Sequence, residues 1–535
     1  MGNVGLGIAA RNGEKRMLQK SRIDLNRRDF IGKLLATSVG VLGMKVLLPC
    51  ASAIPAVGRP DADRPNFILL LTDDQGWCDR SSLADPAVPG SNRSFFHTPN
   101  IDRFSKESLN FVNGYSPAPI CTPTRRSIQF GMTPARIGGT EFKAPTFDPT
   151  GKPTIAQMIK AHDPAYVCAH FGKWGEYMVG VKGRYDDERG DPKKLGYDVT
   201  DGFTGNEHGT CDNKINYELH PDQDPKRIFS MTERGIAFLK QQTQAHRPFY
   251  LQMSYYAIHR APQARPDTIA KYQGQLDPKG GETTLNLPPM LDDLDTGIGR
   301  LLDAIKQLGL DSNTYIFFGS DNGGAAAKGL RPNTPGVLDR NQPLAEAKHS
   351  IKEGGIRTPF MVQGPGVIKN AYCKIPVILT DLYATIHDLL GAQSKLGDDI
   401  DSASIKDVLF RGDKGQVERK TPGLVFHYPY QTFHTYSALR IGDYKVFNYW
   451  ADETWKISKV ELFDLSQDIA EKNDLSAKLP ALAMEMSGKL TAYLKSVNAE
   501  PPKTKEQQAK RGRQERDPDE TAALVGKKRA VRAEK

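Results

Sequence analysis

The sequence has no apolar run of the roughly 20 residues that a bilayer-spanning helix needs. Its N-terminal apolar stretch, residues 34–44, is short and bounded by Lys33 and Lys45. Cysteine is scarce. The six present are Cys50, Cys78, Cys121, Cys168, Cys211 and Cys373, with no Cys-x-x-Cys pair, which argues against a zinc centre or a dense disulfide framework. Internal repeats are absent. A general excess of basic charge is missing too. The net charge is +9, but the first 53 residues hold nine Lys or Arg against three Asp or Glu, and residues 501–535 hold eleven against six. The body between them is slightly acidic and offers no surface for a nucleic-acid backbone.

What remains is ordinary globular material: 535 residues, 39% hydrophobic and 25% charged, with 49 Gly and 36 Pro. Such a composition excludes disorder, collagen and coiled coil for the whole chain. The length calls for one large domain and at least one smaller one.

Asn26-Arg27-Arg28-Asp29-Phe30-Ile31-Gly32-Lys33 forms a twin-arginine pattern, and Ala51-Ser52-Ala53 a small-residue cleavage site. Residues 1–53 therefore read as an export leader. The expected destination is periplasmic or secreted, with the twin-arginine machinery as a partner and no transmembrane segment in the mature chain. Cys50 offers a lipid-anchor alternative, which Pro49 before it suits poorly. Removing the leader leaves an odd number of cysteines, and Cys121 is the one that asks for a chemical explanation.

From residue 65, short apolar runs alternate with amphipathic stretches, the pattern of an α/β domain. Runs at 66–71, 166–169, 248–253 and 315–318 fit strands covered on both faces. Met290, Leu294, Ile298, Leu301, Ile305 and Leu308 recur at helical spacing, with Gly309 as a stop. Short strands are expected at 423–430, 437–441, 444–449 and 460–465, and a closing helix at 479–497. The expected division is a leader at 1–53, a main catalytic domain at 54–400, a smaller α+β domain at 401–500, and a charged, disordered tail at 501–535.

Polar residues gather where these runs end. The first leads into Asp73-Asp74, the second into His170 and Lys173, the third into His259, and the fourth into Asp321-Asn322. In a doubly wound sheet the carboxyl ends of the strands share one edge, where ligands bind. Asp73, Asp74, Asp321 and Asn322 offer only oxygen, which suits Ca²⁺ or Mg²⁺ rather than zinc. Each pair by itself also serves as an ordinary turn; their pairing in one fold favours a metal site. Cys121-Thr122-Pro123-Thr124-Arg125 follows a proline-rich approach. If Cys121 opens a helix, Arg125 shares its face, and both the helix N-terminus and the arginine favour an anionic sulfur. A buried cysteine beside a surface arginine is the plainer alternative.

These residues carry a resemblance. Cys121-Thr122-Pro123-Thr124-Arg125 resembles the Cys-x-Pro-x-Arg formylglycine signature of the type I sulfatases. Residues 66–75 resemble that family's opening strand and metal loop, Gly172-Lys173-Trp174 its Gly-Lys-Trp motif, and Asp321-Asn322-Gly323 its second metal loop. Lys348 and the run Glu353-Gly354-Gly355-Ile356-Arg357-Thr358-Pro359 match its lysine before Glu-Gly-Gly-x-Arg-x-Pro. Arg440 to Lys445 and Glu461 to Leu465 resemble its ending. The match runs in order from about 65 to about 500.

The resemblance implies an alkaline phosphatase-like α/β fold, with a large, mixed and mostly parallel sheet sandwiched by helices. It also implies hydrolysis of sulfate esters of carbohydrates or aryl alcohols. In that reading Cys121 is converted by a separate maturation enzyme to formylglycine, whose hydrate supplies the nucleophile and lies next to the cation. Asp73, Asp74, Asp321 and Asn322 hold Ca²⁺, with Mg²⁺ as the second choice. Arg125 steadies the formylglycine, while Lys173, His259 and Lys348 bind sulfate oxygens and assist the leaving alcohol. The chemistry is coherent: a sulfate ester needs cationic clamping, an in-line nucleophile and a proton for the departing oxygen.

Three departures stand out. Gly175 replaces the histidine of Gly-Lys-Trp-His, with nearby His170 as a replacement or a structural residue. Ile128-Gln129-Phe130-Gly131-Met132 replaces the usual Leu-x-Thr-Gly-Arg. Residues 180–220 resemble nothing assignable and read as a surface insertion or a wall of the substrate pocket. His427 and Tyr428-Pro429-Tyr430 are further candidates for the cleft mouth. The rival functions are a phosphodiesterase or phosphonate monoester hydrolase on the same fold, and a non-catalytic protein that binds sulfated glycans.

Overall fold

The computed structural model describes residues 64–503 apart from 94, 143, 145–146, 176–177, 180–186, 210–222, 261, 276–280, 327–339 and 430–434. The proposed leader with Cys50, Cys211, Tyr430 and residues 504–535 of the tail lie outside that set.

The main sheet is built around Asn66–Thr72 (β1), whose alternation explains its central place. Phe67, Leu69 and Leu71 enter one core, Ile68 and Leu70 the other, and all are buried. The remaining strands follow as Leu109–Phe111 (β2), Gly114–Tyr115 (β3), Val167–Gly172 (β4), Val199–Thr200 (β5), Phe249–Ser254 (β6), Thr314–Ser320 (β7), Phe360–Gln363 (β8), Ala371–Cys373 (β9) and Val377–Ile378 (β10). Eight of these form one sheet in the order β5-β4-β6-β1-β7-β8-β2-β9. The β5-β4-β6-β1-β7 pairings are parallel, and β8 runs antiparallel to both β7 and β2. A separate two-stranded pairing joins β3 to β10.

Helices cover both faces, as a sheet buried on both sides requires. On one side lie the helices Cys121–Phe130, Ile155–His162 and Leu382–Leu389; on the other lie Pro99–Lys106, Ile228–Gln244 and Gly281–Gln307. The last begins nine residues before Met290, where the apolar period starts, and carries Pro288 and Pro289 inside it. Beyond the main sheet, Leu424–Tyr428 (β11), Tyr436–Ile441 (β12), Tyr444–Trp450 (β13) and Ile457–Asp464 (β14) form an antiparallel meander. One face, with Phe426, Ala438 and Phe447, packs on Tyr115, Ile120 and Ile356 of the main body. The other, with Val425, Leu439 and Val446, packs on Met486, Leu490 and Leu494 of helix Pro480–Ser496.

Residues 180–220 are not a simple surface insertion. Their described part supplies the edge strand β5, buried Leu195 and Tyr197, and Gly190, whose carbonyl accepts the Trp174 indole N–H at 2.9 Å. Among the described residues, no helix is long and apolar enough to cross a membrane.

Candidate active site

The parallel register brings the polar strand ends together. Thr72 lies opposite Ser320, and both Leu71 and Gly172 lie opposite Ser254. Backbone bonds continue past the strands. The Asp73 N–H donates to the Ala257 carbonyl at 3.0 Å, Asp321 N–H to Thr72 at 3.1 Å, and Lys173 N–H to Ser254 at 2.8 Å. Asp73, Asp74, Lys173, His259, Asp321 and Asn322 therefore share one edge, as read from the sequence.

Cys121 is the first residue of helix Cys121–Phe130, which puts Arg125 one turn along. The arginine is turned toward Asp321, with Nε and Nη2 donating to its Oδ2 at 3.1 and 2.7 Å, while Nη1 donates to the Lys173 carbonyl at 2.6 Å. Lys173 Nζ meets Asp73 Oδ2 at 2.5 Å, and Lys348 Nζ meets Asp74 Oδ1 at 2.8 Å. His259 Nδ1 lies 2.8 Å from the Arg260 carbonyl, which can only accept, so the proton sits there and Nε2 faces Asp74 Oδ2 at 3.9 Å.

The electrostatics follow from burial. Burial alone would push the Asp73 and Asp74 carboxyls up, but Lys173 beside the first and Lys348 beside the second hold both below the usual range. Asp321 is pushed up to about 6 by burial and by the neighbouring Asp73 charge. Burial, reinforced by Lys348, keeps His259 neutral at about 3.

The expectation of an anionic sulfur is corrected. Burial raises the Cys121 thiol, and the fields of Lys173 and Lys348 do not reverse it.

The donor set fits a hard cation. Asp73 Oδ1 and Asn322 Oδ1 are buried without a hydrogen-bond partner, an arrangement that costs about 1–3 kcal/mol per group unless something binds there. Asp73, Asp74 and His259 place ligand atoms within 4.8 Å of one another. Three carboxylates are matched by Arg125, Lys173 and Lys348, so a divalent ion leaves the cleft positive, as an anionic ester requires.

Other expectations resolve less favourably. His170 is fully buried, its Nε2 3.1 Å from Ser254 Oγ and its ring edge-on to Trp174 and Tyr197. Burial holds it at about 3, and its packing fits the structural alternative of the two readings. His427 faces away from the cleft, bonded to Ser437 Oγ at 2.7 Å and the Glu500 carbonyl at 2.8 Å; burial lowers it to about 4. Tyr428 does approach the site's surroundings, its hydroxyl 3.5 Å from Nδ1 of His349, the residue after Lys348.

Gly175 has φ +131°, a conformation that L side chains rarely adopt, and its N–H donates to the Thr204 carbonyl at 3.0 Å. A Cβ there lies 3.0 Å from Met178 Sδ. Restoring the absent side chain as Gly175→His is expected to cost about 1–3 kcal/mol of stability without raising kcat. Urea unfolding and initial rates on an aryl sulfate check this; a more active variant of unchanged stability refutes it.

Sequence reading missed Thr204, Arg340 and Asn341. Thr204 Oγ1 accepts the Trp174 N–H at 2.9 Å, and the other two lie behind the metal loops. None belongs to a motif, and each acts through partners remote in sequence.

Comparison with known proteins accords with this geometry. A family model described as Sulfatase matches residues 65–392. The chain is 25% identical over 523 residues to a sulfatase of Formosa agariphila, covering 82% of this chain and 91% of that one. It is 24% identical to the N-acetylgalactosamine-6-sulfatase of Rattus norvegicus, covering 79% of each. Among solved structures, Ps i-CgsB superposes with a TM-score of 0.65 at 23% identity, covering 83% of this chain and 95% of that one. The structure of BT4656 with its substrate D-glucosamine-2-N,6-O-disulfate superposes with a TM-score of 0.59 at 18% identity, covering 81% and 98%.

Proposed function

The chain belongs to the sulfatase family and hydrolyses sulfate esters, and we propose that it does so on a sulfated carbohydrate, outside the cytoplasm, through a formylglycine formed at Cys121. The observation that carries this reading is the gathering of Lys173, Lys348 and His259 around the Asp73 and Asp74 carboxylates, within the field of Cys121, while Asp73 Oδ1 and Asn322 Oδ1 keep no hydrogen-bond partner. The substrate class is supported by relatives named N-acetylgalactosamine-6-sulfatase. The twin arginines at 27 and 28 and the Ala51-Ser52-Ala53 site support export by the twin-arginine route, with maturation in the cytoplasm before folding buries Cys121. A catalytic domain at 54–400 and a smaller C-terminal subdomain at 401–500 belong to the same proposal.

Asp73, Asp74, Asp321 and Asn322 would hold Ca²⁺, or Mg²⁺, beside position 121; the ion supplies Lewis-acid polarisation of a sulfate oxygen and the formylglycine hydrate supplies the attacking hydroxyl. Lys173 and Lys348 offer ammonium groups to the remaining sulfate oxygens and to the departing oxygen, on which charge builds as the S–O bond breaks. Arg125 fixes Asp321 and the Lys173 backbone together, so the clamp and the nucleophile keep one geometry. Burial favours the neutral form of His259. An incoming anion favours its protonation, after which Nε2 can deliver the proton to the leaving alcohol.

The test is peptide mass spectrometry of position 121 in protein made alongside a formylglycine-generating enzyme, with kcat/KM on 4-nitrophenyl sulfate and phosphate. An aldehyde at 121, sulfate turnover above phosphate turnover, and loss of both on chelation are expected. Preference for phosphate would favour the phosphodiesterase reading. Full activity with an unmodified thiol would overturn the mechanism.

A further inference from the structure

Behind the two metal loops lies a pair of adjacent residues that belongs to neither. Arg340 and Asn341 are 4% and 2% exposed, and each grips one loop. Arg340 Nη2 donates to the Asp74 carbonyl at 2.5 Å and to Asp79 Oδ2 at 2.7 Å, and Nε donates to the same Oδ2 at 3.0 Å. That carboxylate oxygen also accepts the Gly76 N–H at 2.7 Å. Asn341 pairs twice with the second loop: Gly324 N–H donates to its Oδ1 at 3.0 Å, and its Nδ2 donates to the Gly324 carbonyl at 2.9 Å. The same carbonyl accepts the Lys348 N–H at 3.1 Å.

The fit is close on both sides. A Cβ on Gly76 would lie 2.8 Å from Asn341 Oδ1, and one on Gly324 would lie 3.0 Å from the same atom. Asp74 has φ +60°, a left-handed conformation uncommon outside glycine though one that Asp adopts more readily than most residues, and its carbonyl is the group Arg340 holds. We infer that Arg340 and Asn341 are positioning residues that staple the Asp73–Asp74 loop to the Asp321–Asn322 loop and so fix the spacing of the cation's oxygen donors. The inference rests on the metal-site reading above. Neither residue bonds to the side chain of Asp73, Asp74, Asp321 or Asn322; both act on the backbone that aims those side chains. Strands β1 and β7 are joined by their own ladder from Asn66 to Thr72, so the staple is not needed to pair them. It orders the two loops beyond the strand ends, as outer-sphere partners of metal ligands commonly do.

The test uses the full chain with Cys121 unmodified and stripped of metal, so that binding is read apart from catalysis. Calorimetric titration with Ca²⁺ and the Ca²⁺-induced rise in unfolding temperature are compared for wild type, Arg340→Ala, Arg340→Lys and Asn341→Ala. The dissociation constant is expected to rise roughly 10–100-fold in Arg340→Ala and Asn341→Ala, and less in Arg340→Lys. In the matured enzyme, excess Ca²⁺ should restore most of kcat. If Arg340→Ala does not fold with Asp79 left unpaired, Arg340→Lys and Asn341→Ala carry the test. Variants that bind Ca²⁺ within about twofold of wild type would overturn the staple while leaving the metal site standing. A wild type that binds neither Ca²⁺ nor Mg²⁺ would overturn the metal site, and the staple with it.

Discussion

Cys121→Ser should abolish turnover of sulfate esters, with kcat falling by about 10⁴-fold or more, the effect of removing the group that forms the covalent chemistry. The substitution is nearly isosteric at a site only 2% exposed, so the fold should survive it. The physical reason lies in release rather than attack. A serine hydroxyl in the field of Lys173 and Lys348 can still be sulfated, but it has no second hydroxyl on the same carbon to expel the sulfate. The variant should therefore show at most one equivalent of product per site and then stop. Rapid quench with an aryl sulfate, followed by intact-mass measurement, reads both quantities. Sustained turnover by the serine variant would sink the formylglycine reading, whatever the mass of the wild-type peptide.

Lys445→Ala should lose about 3–5 kcal/mol, a large part of the 5–15 kcal/mol that holds a typical domain together. Lys445 is fully buried where the C-terminal sheet meets the main body. Its Nζ lies 2.8 Å from Glu353 Oε1, 3.0 Å from Glu471 Oε1 and 2.9 Å from the Ile351 carbonyl. Glu353 keeps Arg357 at 2.7 Å and the Tyr115 hydroxyl at 2.7 Å when the ammonium is removed, but Glu471 is left as a buried carboxylate stripped of its strongest partner. The deficit should thus be repaired in good part by Glu471→Gln in the Lys445→Ala background, because what costs is an uncompensated charge. The damage should also reach the active site. Gly355 accepts the N–H of Gly323, next to Asn322, and Ile356 accepts the N–H of Ser116 on the approach to Cys121. Urea unfolding of the unmodified protein measures the first effect and KM for substrate the second. A loss below about 1 kcal/mol would show that water or relaxation compensates the pair.

The fold was legible where the signal was local. The apolar runs at 66–71 and 315–318 lie in β1 and β7 and that at 248–253 overlaps β6, and the polar residues beyond them occupy one edge as parallel strands require. The short strands β2, β3, β9 and β10, of two or three residues, were not legible; they are too brief to carry a period and exist because neighbours pair with them. Within the cleft, Asp73, Asp74, Lys173, His259, Asp321, Asn322 and Lys348, which the structure brings together, could be singled out because each lies in or beside a short pattern or a strand end. Arg340 was not, since its meaning depends on an Asp74 carbonyl 266 positions away.

The sequence by itself therefore determined the class of fold and the gathering of polar residues at the strand ends, because periodicity and residue chemistry act over a few neighbouring residues; the proposed nucleophile came from the family resemblance. Only the tertiary structure decided how those groups are tuned. It turned Arg125 to Asp321 instead of the sulfur, buried the Cys121 thiol enough to keep its proton, and withdrew His170 and His427 into packed surroundings. Those outcomes depend on desolvation and on hydrogen bonds between distant segments, and such energies exist only once the chain has closed around them.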